Sequence, residues 1–369
     1  MHLAPKAQLI FYPQYPEVRL SGFLQGCRNP PTSLWVKGKR GEVPNRILLI
    51  GLGNGRKVIA VTLPPESPAA KEILAAGTHE TYGALGILPM PGQREDNGYL
   101  ELMRALCSIH RRAWVPSTRL DREGRLIRCN AHNCNGNTLE SLLGIRSNGF
   151  SLPDFRGWEV KARQVANVDK PGSSTVTLFT PEPTDGIYTV SGVAEFVRRF
   201  GYADTRGRDD RLNFGGIYRV GKPPHQRTGL RLVLDGFNPD TKKFTSSGSV
   251  QLLDSKDNVA AAWAFAKLLD HWKVKHAHAA FVPSQLRTVP DRQYRYSQKI
   301  LLGVGAEFGL LLNAIHEGKV YYDPGIKLEA VSSEKPKSKT RSQFRVTSKN
   351  LPELYTSSRI VDACEESDC

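Results

Sequence analysis

Four residues in the middle of the chain have the types and spacing of a metal-dependent hydrolytic site. Glu140, Asp154, Glu159 and Lys161 fall within about twenty residues of one another. Mg²⁺ is usually held by one or two carboxylates while it keeps several waters. A lysine beside such an ion can orient or deprotonate an attacking water and can stabilise developing negative charge. These residue types therefore predict metal-assisted hydrolysis of a phosphodiester bond.

The local elements predicted around these residues bring them together. Trp158–Lys161 is typical of a strand, and alternation places Glu159 and Lys161 on one face with the carbonyl of Val160 between them. We expect Asp154, Glu159 and the Val160 carbonyl to hold Mg²⁺, with Lys161 beside the attacking water. Glu140 is expected on the preceding helix. By itself the Asp…Glu-x-Lys spacing is a weak signal, and the alternative is a solvated pair of Glu159 and Lys161 on a strand.

The charge of the chain favours a polyanionic partner. Lys and Arg number 51 against 36 Asp and Glu, which gives a formal net charge of +15. Nucleic acid is the commonest partner of such proteins, although a merely basic soluble protein is the alternative. No apolar run is long enough to span a bilayer, and the first residues lack the apolar stretch of a signal peptide. A cytoplasmic location and reduced thiols are therefore expected.

Two domains are predicted from the 369 residues of the chain. Residues 1–115 are expected to form a β-rich N-terminal domain, and residues 116–361 a second domain in which helices and strands mix, of the α/β or α+β class. The segment 116–128 is interpreted as a linker and 362–369 as a frayed acidic tail. The run Gly51–Gly55 is interpreted as a hairpin turn and not as a phosphate-binding loop, because a strand follows it.

Individual elements follow from the periodicity and from Gly and Pro punctuation. Helices are expected at 68–78, 97–111, 191–200, 260–271 and 307–317, with a further helix that has Thr138 as its N-cap. Strands are expected at 9–12, 17–21, 33–36, 46–50, 57–62, 158–163, 175–179, 230–234, 249–253 and 277–282.

A basic segment near the C-terminus predicts contacts with DNA. Charged and amide side chains occupy alternate positions, which would line one face of an extended strand: Lys337, Lys339, Arg341, Gln343, Arg345 and Lys349. Arg pairs bidentately with guanine and Gln with adenine, so Arg341 and Arg345 are the predicted base readers, with Gln343 beside them. The lysines are predicted to contact phosphates. A flexible basic tail that binds only the backbone, or an edge strand protected by lysines, are the alternatives.

The surroundings of the candidate site resemble a known family. The segments 135–145, 148–149 and 153–161 (NGNTLESLLGI, NG and PDFRGWEVK) are similar to those of the MvaI/BcnI-type restriction endonucleases. Those enzymes are PD-(D/E)XK nucleases with a mixed sheet, related in fold to the mismatch-repair nicking enzyme MutH. The resemblance covers roughly residues 129–355 and is most specific at 135–163.

This resemblance implies roles for individual residues and for the whole protein. Asp154, Glu159 and Lys161 correspond to the PD-(D/E)XK residues, and Glu140 to the helix glutamate that supports the metal site in MutH-like enzymes. It implies a Mg²⁺-dependent enzyme, mostly monomeric, that cuts double-stranded DNA one strand at a time at a short, CCNGG-like pseudopalindrome. A cognate DNA methyltransferase is the expected genetic partner, and residues 1–115 are compatible with a DNA-binding effector domain. A nicking repair nuclease and a non-catalytic DNA-binding protein are the alternative functions.

Overall fold

The computed structural model describes residues 5–12, 17–22, 25–28, 45–53, 57–75, 81–82, 85–86, 88, 95–131, 133–145 and 153–367. The chain divides into two compact units, Met1–Arg94 and Glu95–Cys369. This division differs from the predicted one at residue 115, because the helix before that point belongs to the second unit. Among the described residues, no helix is both long and apolar enough to cross a membrane.

Within the described residues, the first unit contains three antiparallel strand pairs and one helix. Its elements are β1 (Gln8–Tyr12), β2 (Glu17–Ser21), β3 (Ile47–Gly53), β4 (Lys57–Leu63), α1 (Pro68–Ala75), β5 (Thr81–Tyr82) and β6 (Leu85–Gly86). Gly53 pairs with Lys57 at the end of β3 and β4, as expected for a hairpin. The turn residues of that hairpin and the predicted strand at 33–36 lie outside the described residues.

The second unit mixes helices and strands throughout. Its elements are α2 (Glu95–Arg111), β7 (Val115–Pro116), β8 (Thr118–Leu120), β9 (Leu126–Arg128), α3 (Cys134–Leu142), β10 (Glu159–Val165), β11 (Thr175–Phe179), α4 (Ile187–Val190), α5 (Gly192–Phe200), β12 (Tyr202–Ala203), β13 (Arg211–Gly215), β14 (Arg231–Asn238), β15 (Lys243–Leu253), β16 (Val259–Ala264), α6 (Phe265–His276), β17 (His278–Arg287), β18 (Gln293–Tyr296), β19 (Lys299–Val304), α7 (Phe308–His316), β20 (Val320–Tyr322), β21 (Gly325–Glu329), β22 (Lys337–Lys339), β23 (Phe344–Thr347), a 3-10 helix (Ser348–Leu354), β24 (Ser357–Asp362) and α8 (Ala363–Ser367).

The central sheet of this unit has the order β24-β19-β17-β18-β7, and β10 runs parallel to β17. Strand β17 is buried on both faces. Ala279 and Phe281 face one hydrophobic cluster, whereas Ala280 and Val282 face another. A strand covered on both sides reads as a continuous apolar run, which is why 277–282 was recognisable in the sequence.

Two helix predictions are wrong in their bounds. Residues 260–264 belong to β16, and helix α6 begins only at Phe265. The alanines of this segment favour a helix, but Ala260–Trp263 is buried and pairs with β15, so tertiary burial overrides propensity. Helix α3 begins at Cys134, so Thr138 is inside it. The Thr138 hydroxyl binds the backbone of Thr118 instead of capping a helix.

The basic C-terminal segment is not one continuous strand. Strand β22 pairs with β21, whereas β23 lies in a different sheet between β11 and β20. Phe344 and Val346 are fully buried and fix β23 in the core. Gln343 is only 7% exposed, and Arg345 forms an ion pair of 2.6 Å with Asp323. The prediction of one continuous strand with these side chains on a single face is therefore wrong, because burial of Phe344 and Val346 places β23 in a different sheet from β22.

The two ends of the second unit also differ from the predictions. The expected linker at 116–128 contains β8 and β9, and the expected tail at 362–369 contains helix α8. Disulfides join Cys107 to Cys364 and Cys129 to Cys134, in place of the expected reduced thiols.

Candidate active site

Strand β10 presents Glu159 and Lys161 on one face, as its sequence predicts. Glu159 pairs in register with Ala279, and Lys161 with Phe281. Both partners belong to one hydrophobic cluster, whereas Val160 and Ala162 pack into the cluster on the opposite face. The apolar residues between the charged ones thus hold the strand in its orientation.

The Glu159 carboxylate and the Lys161 ammonium form a close ion pair. Lys161 Nζ lies 2.6 Å from Glu159 Oε1, with 17% of the lysine side chain and 2% of the glutamate side chain exposed. A carboxylate this buried is rare in proteins unless it is paired or coordinates a metal. The alternative of a solvated surface pair on a strand is therefore wrong.

Asp154 reaches the same strand from the preceding loop. Its Oδ2 accepts a hydrogen bond of 3.2 Å from the backbone N–H of Val160. A tight turn makes this approach possible, because Arg156 and Gly157 have positive φ values of 49° and 89°. Phe155 and Trp158 exchange backbone hydrogen bonds of 2.9 and 2.8 Å across the turn. The carboxylate of Asp154 therefore lies beside the backbone that joins Glu159 to Lys161.

Helix α3 carries Glu140 and is attached to β10. Asn135 Nδ2 donates a 3.3 Å hydrogen bond to the Ala162 carbonyl, and Tyr296 Oη donates one of 2.7 Å to the Asn135 carbonyl. Burial raises the pKa of Tyr296 well above its ordinary value, and the charges of Tyr294 and Glu140 add to this. Among the described residues, no three or more His, Cys, Asp and Glu side chains are grouped so that they could hold a metal ion. The support of Glu140 for the metal site therefore stays a prediction.

A tyrosine that sequence reasoning did not select also belongs to this region. Gly303 pairs with Ala279, which pairs with Glu159, so three adjacent strands place these residues on one face. A Cβ at Gly303 would lie only 2.5 Å from the ring of Tyr355, so the ring covers this glycine. The Tyr355 hydroxyl lies 3.2 Å from His276 Nδ1. Burial, and secondarily the negative charge of Glu159, raises the pKa of Tyr355 well above its ordinary value.

The donor set on β10 suits a hard divalent cation. The carboxylates of Asp154 and Glu159 and the carbonyl of Val160 offer oxygen ligands, and oxygen is what Mg²⁺ prefers. The hydrogen bond from Val160 to Asp154 and the register of β10 bring these donors to one short stretch of strand. Two carboxylates and one carbonyl fit Mg²⁺, because this ion keeps several waters and does not need three side-chain ligands.

Comparison with known proteins identifies the family and the fold of the chain. Residues 103–355 match the model of the MvaI/BcnI restriction endonuclease family. The structure of a restriction endonuclease MvaI–cognate DNA substrate complex is similar to this one at 20% sequence identity and a TM-score of 0.51, covering 74% of this chain and 99% of that one. Restriction endonuclease MvaI in the absence of DNA matches at 17% identity and a TM-score of 0.38, covering 74% of this chain and 100% of that one. No curated protein sequence matches the chain significantly. The mixed α+β nuclease fold predicted from the sequence is confirmed.

Proposed function

Because the chain belongs to the MvaI/BcnI restriction endonuclease family, we propose that it is a magnesium-dependent restriction enzyme whose active site is formed by Asp154, Glu159 and Lys161. Family membership makes the chain a sequence-specific DNA endonuclease. The observation that supports this site is the buried ion pair of Glu159 and Lys161, 2.6 Å long, beside the Asp154 carboxylate.

Each residue of the site has a separate task. Asp154, Glu159 and the carbonyl of Val160 would hold the cation, which when bound would supply charge neutralisation and a more acidic water. Lys161 holds the attacking water in line with the phosphorus atom and stabilises charge on the phosphate oxygens. The backbone hydrogen bond from Val160 fixes the Asp154 carboxylate in its working position. Glu140, on the helix attached to β10, is the proposed supporting carboxylate of the metal site.

The substrate proposed is double-stranded DNA with a short CCNGG-like site, cut by a monomer in the cytoplasm. The net charge of +15 supports a polyanionic substrate of this kind. The proposed genetic partner of this enzyme is a cognate DNA methyltransferase that acts on the host's own DNA. Lys337, Lys339, Arg341 and Lys349 are exposed and remain the proposed DNA contacts of the C-terminal segment. Gln343 and Arg345 are withdrawn as groove readers because of their burial and ion pairing.

Cleavage of a supercoiled plasmid tests the proposed site. We expect linear product with Mg²⁺ and none with EDTA, and a loss on the order of 10²- to 10³-fold or more for Asp154→Asn and Lys161→Met. Glu123→Gln and Lys170→Met remove exposed charges of the same kinds and should cut normally. Undiminished cutting by either site variant would refute the assignment. Open-circular product alone would favour the nicking alternative.

A further inference from the structure

Arg163 continues the row of charged residues on the proposed catalytic face of β10. Glu159, Lys161 and Arg163 occupy alternate positions of one strand, so their side chains leave the same face. Arg163 pairs in register with Pro283, two positions beyond the partner of Lys161. Arg163 lies outside the PD-(D/E)XK pattern, so the sequence motif does not point to it.

The guanidinium of Arg163 is held by neutral acceptors alone. Its Nη1 donates to the Gly172 carbonyl at 3.0 Å and to Ser174 Oγ at 3.2 Å. In the part of the chain that the structure describes, no carboxylate pairs with Arg163, although it is half-buried. Burial lowers the pKa of this guanidinium, yet an arginine stays charged in proteins. A half-buried cation without a counterion is a costly arrangement that an incoming anion would relieve.

The remaining donors of Arg163 form the edge that recognises anions. Both contacts to Gly172 and Ser174 use Nη1, so the edge made by Nε and Nη2 has no acceptor among the described residues. Within that part of the chain, Nε and Nη2 have no hydrogen-bond partner, and neither atom is buried. This edge is therefore accessible. This fork is the geometry in which arginine binds phosphate through two parallel hydrogen bonds.

The spacing along the strand agrees with the spacing of DNA phosphates. Residues two apart on a strand are about 6.6 Å apart. Consecutive phosphates of one DNA strand are separated by roughly 6 to 7 Å, once helical twist is added to the rise of about 3.4 Å. A strand with Lys161 at one phosphate therefore brings residue 163 to the distance of a neighbouring one.

We propose that Arg163 forms a phosphate-binding subsite that clamps a DNA phosphate adjacent to the scissile one and so sets the scissile phosphate against Lys161. The connecting segment through Gly172 and Ser174 holds the guanidinium in place, while its free edge binds the phosphate oxygens. This subsite rests on the proposed active site, since the scissile phosphate is placed by Lys161.

Binding measurements with uncharged phosphates test the subsite. Duplexes containing the mapped cut site are made with one methylphosphonate on either side of the scissile phosphate, or several phosphates away. Affinity is measured by fluorescence anisotropy in EDTA, where no cleavage occurs. Wild type should lose about 10- to 100-fold in affinity with one adjacent replacement and much less with the distant one. Arg163→Gln should lose about as much on native DNA and be insensitive to that same adjacent replacement.

The controls separate this contact from a structural role and from the proposed function. Lys170→Gln removes an exposed charge from the same connecting segment and should keep the wild-type response. Arg163→Lys keeps the charge but not the fork, and should bind with intermediate affinity. If Arg163→Gln does not fold, insensitivity of wild type to both adjacent replacements still overturns the subsite. Equal sensitivity of wild type and Arg163→Gln overturns it too. If Lys161→Met cuts normally, the active-site assignment fails, whereas the binding result in EDTA still decides the contact of Arg163.

Discussion

Lys161 has both a structural and a chemical role, because it neutralises the buried Glu159 and is also the proposed catalytic lysine. The carboxylate of Glu159 is almost fully buried, and the ammonium of Lys161 lies 2.6 Å away. A buried charge is tolerated in proteins when it has such a partner. The site therefore depends on this pair for stability as well as for chemistry, and the two duties can be separated by experiment.

Removal of the ammonium should destabilise the fold. For Lys161→Met in EDTA, we expect the free energy of unfolding to fall by about 3 kcal/mol, at the lower end for buried pairs because the lysine is partly exposed. Adding Glu159→Gln should restore most of the loss, since the charge itself is then gone. Urea denaturation measures both. Arg125→Met, which breaks an exposed pair with Asp121 of 2.8 Å, should leave the value almost unchanged.

At the scale of elements, the strands next to β10 carry small residues where they lie beside Glu159. Gly303 and Ala279 are small and lie in register with Glu159, which leaves the space that the ring of Tyr355 fills. The hydroxyl of Tyr355 is in turn placed by His276 at the end of α6. The environment of the buried Glu159 carboxylate is therefore determined by β10, β17, β19, α6 and Tyr355.

Substitution of Gly303 tests this packing. In Gly303→Ala the new Cβ would lie 2.5 Å from the Tyr355 ring, within the sheet where the backbone cannot easily move. We expect a loss of about 1–3 kcal/mol in the free energy of unfolding from overpacking. Gly309→Ala is the control, because its Cβ would meet nothing closer than 3.6 Å and it lies in helix α7. A neutral Gly303→Ala would contradict the close contact.

In the basic segment, substitution of an exposed residue should affect DNA binding, whereas substitution of a buried residue should affect stability. Lys337 is exposed, so Lys337→Ala should weaken DNA binding evenly across sequences and reduce the slope of log K against log salt by about 1. Gln343 is buried, so Gln343→Ala should lower stability and leave the salt slope unchanged. Filter binding over a salt series, with denaturation in parallel, checks both. A change in sequence preference caused by Gln343→Ala would restore it as a base reader.

At the scale of the whole molecule, the second unit contains the family match and every residue of the proposed site. The family match covers residues 103–355, and the unit covers Glu95–Cys369. Helix α2 is part of this unit, because Leu102, Met103 and Leu106 are buried in the same cluster as Val160. The disulfide between Cys107 and Cys364 joins α2 to α8, near the two ends of the unit.

Two truncations distinguish the observed boundary from the one predicted from sequence. A protein of residues 95–369 should fold and cut the same site as the full chain. A protein of residues 116–369 lacks α2 and should be unfolded or unstable, because each large buried side chain that is removed costs about 2–5 kcal/mol. Circular dichroism and plasmid cleavage measure the two outcomes. Equal behaviour of both truncations would contradict the placement of α2 in the second unit.

Features whose physics is local could be predicted from the order of the residues. Alternation along β10 fixed the shared face of Glu159 and Lys161, and the apolar run of β17 fixed a strand, because side-chain direction follows from backbone period alone. Burial and strand pairing, in contrast, became known from the folded chain. The tertiary structure turned Ala260–Ala264 into a strand, buried Gln343, placed Tyr355 over Gly303 and left one edge of Arg163 accessible. These outcomes depend on contacts between residues distant in the chain, and no short pattern of residues contains that information.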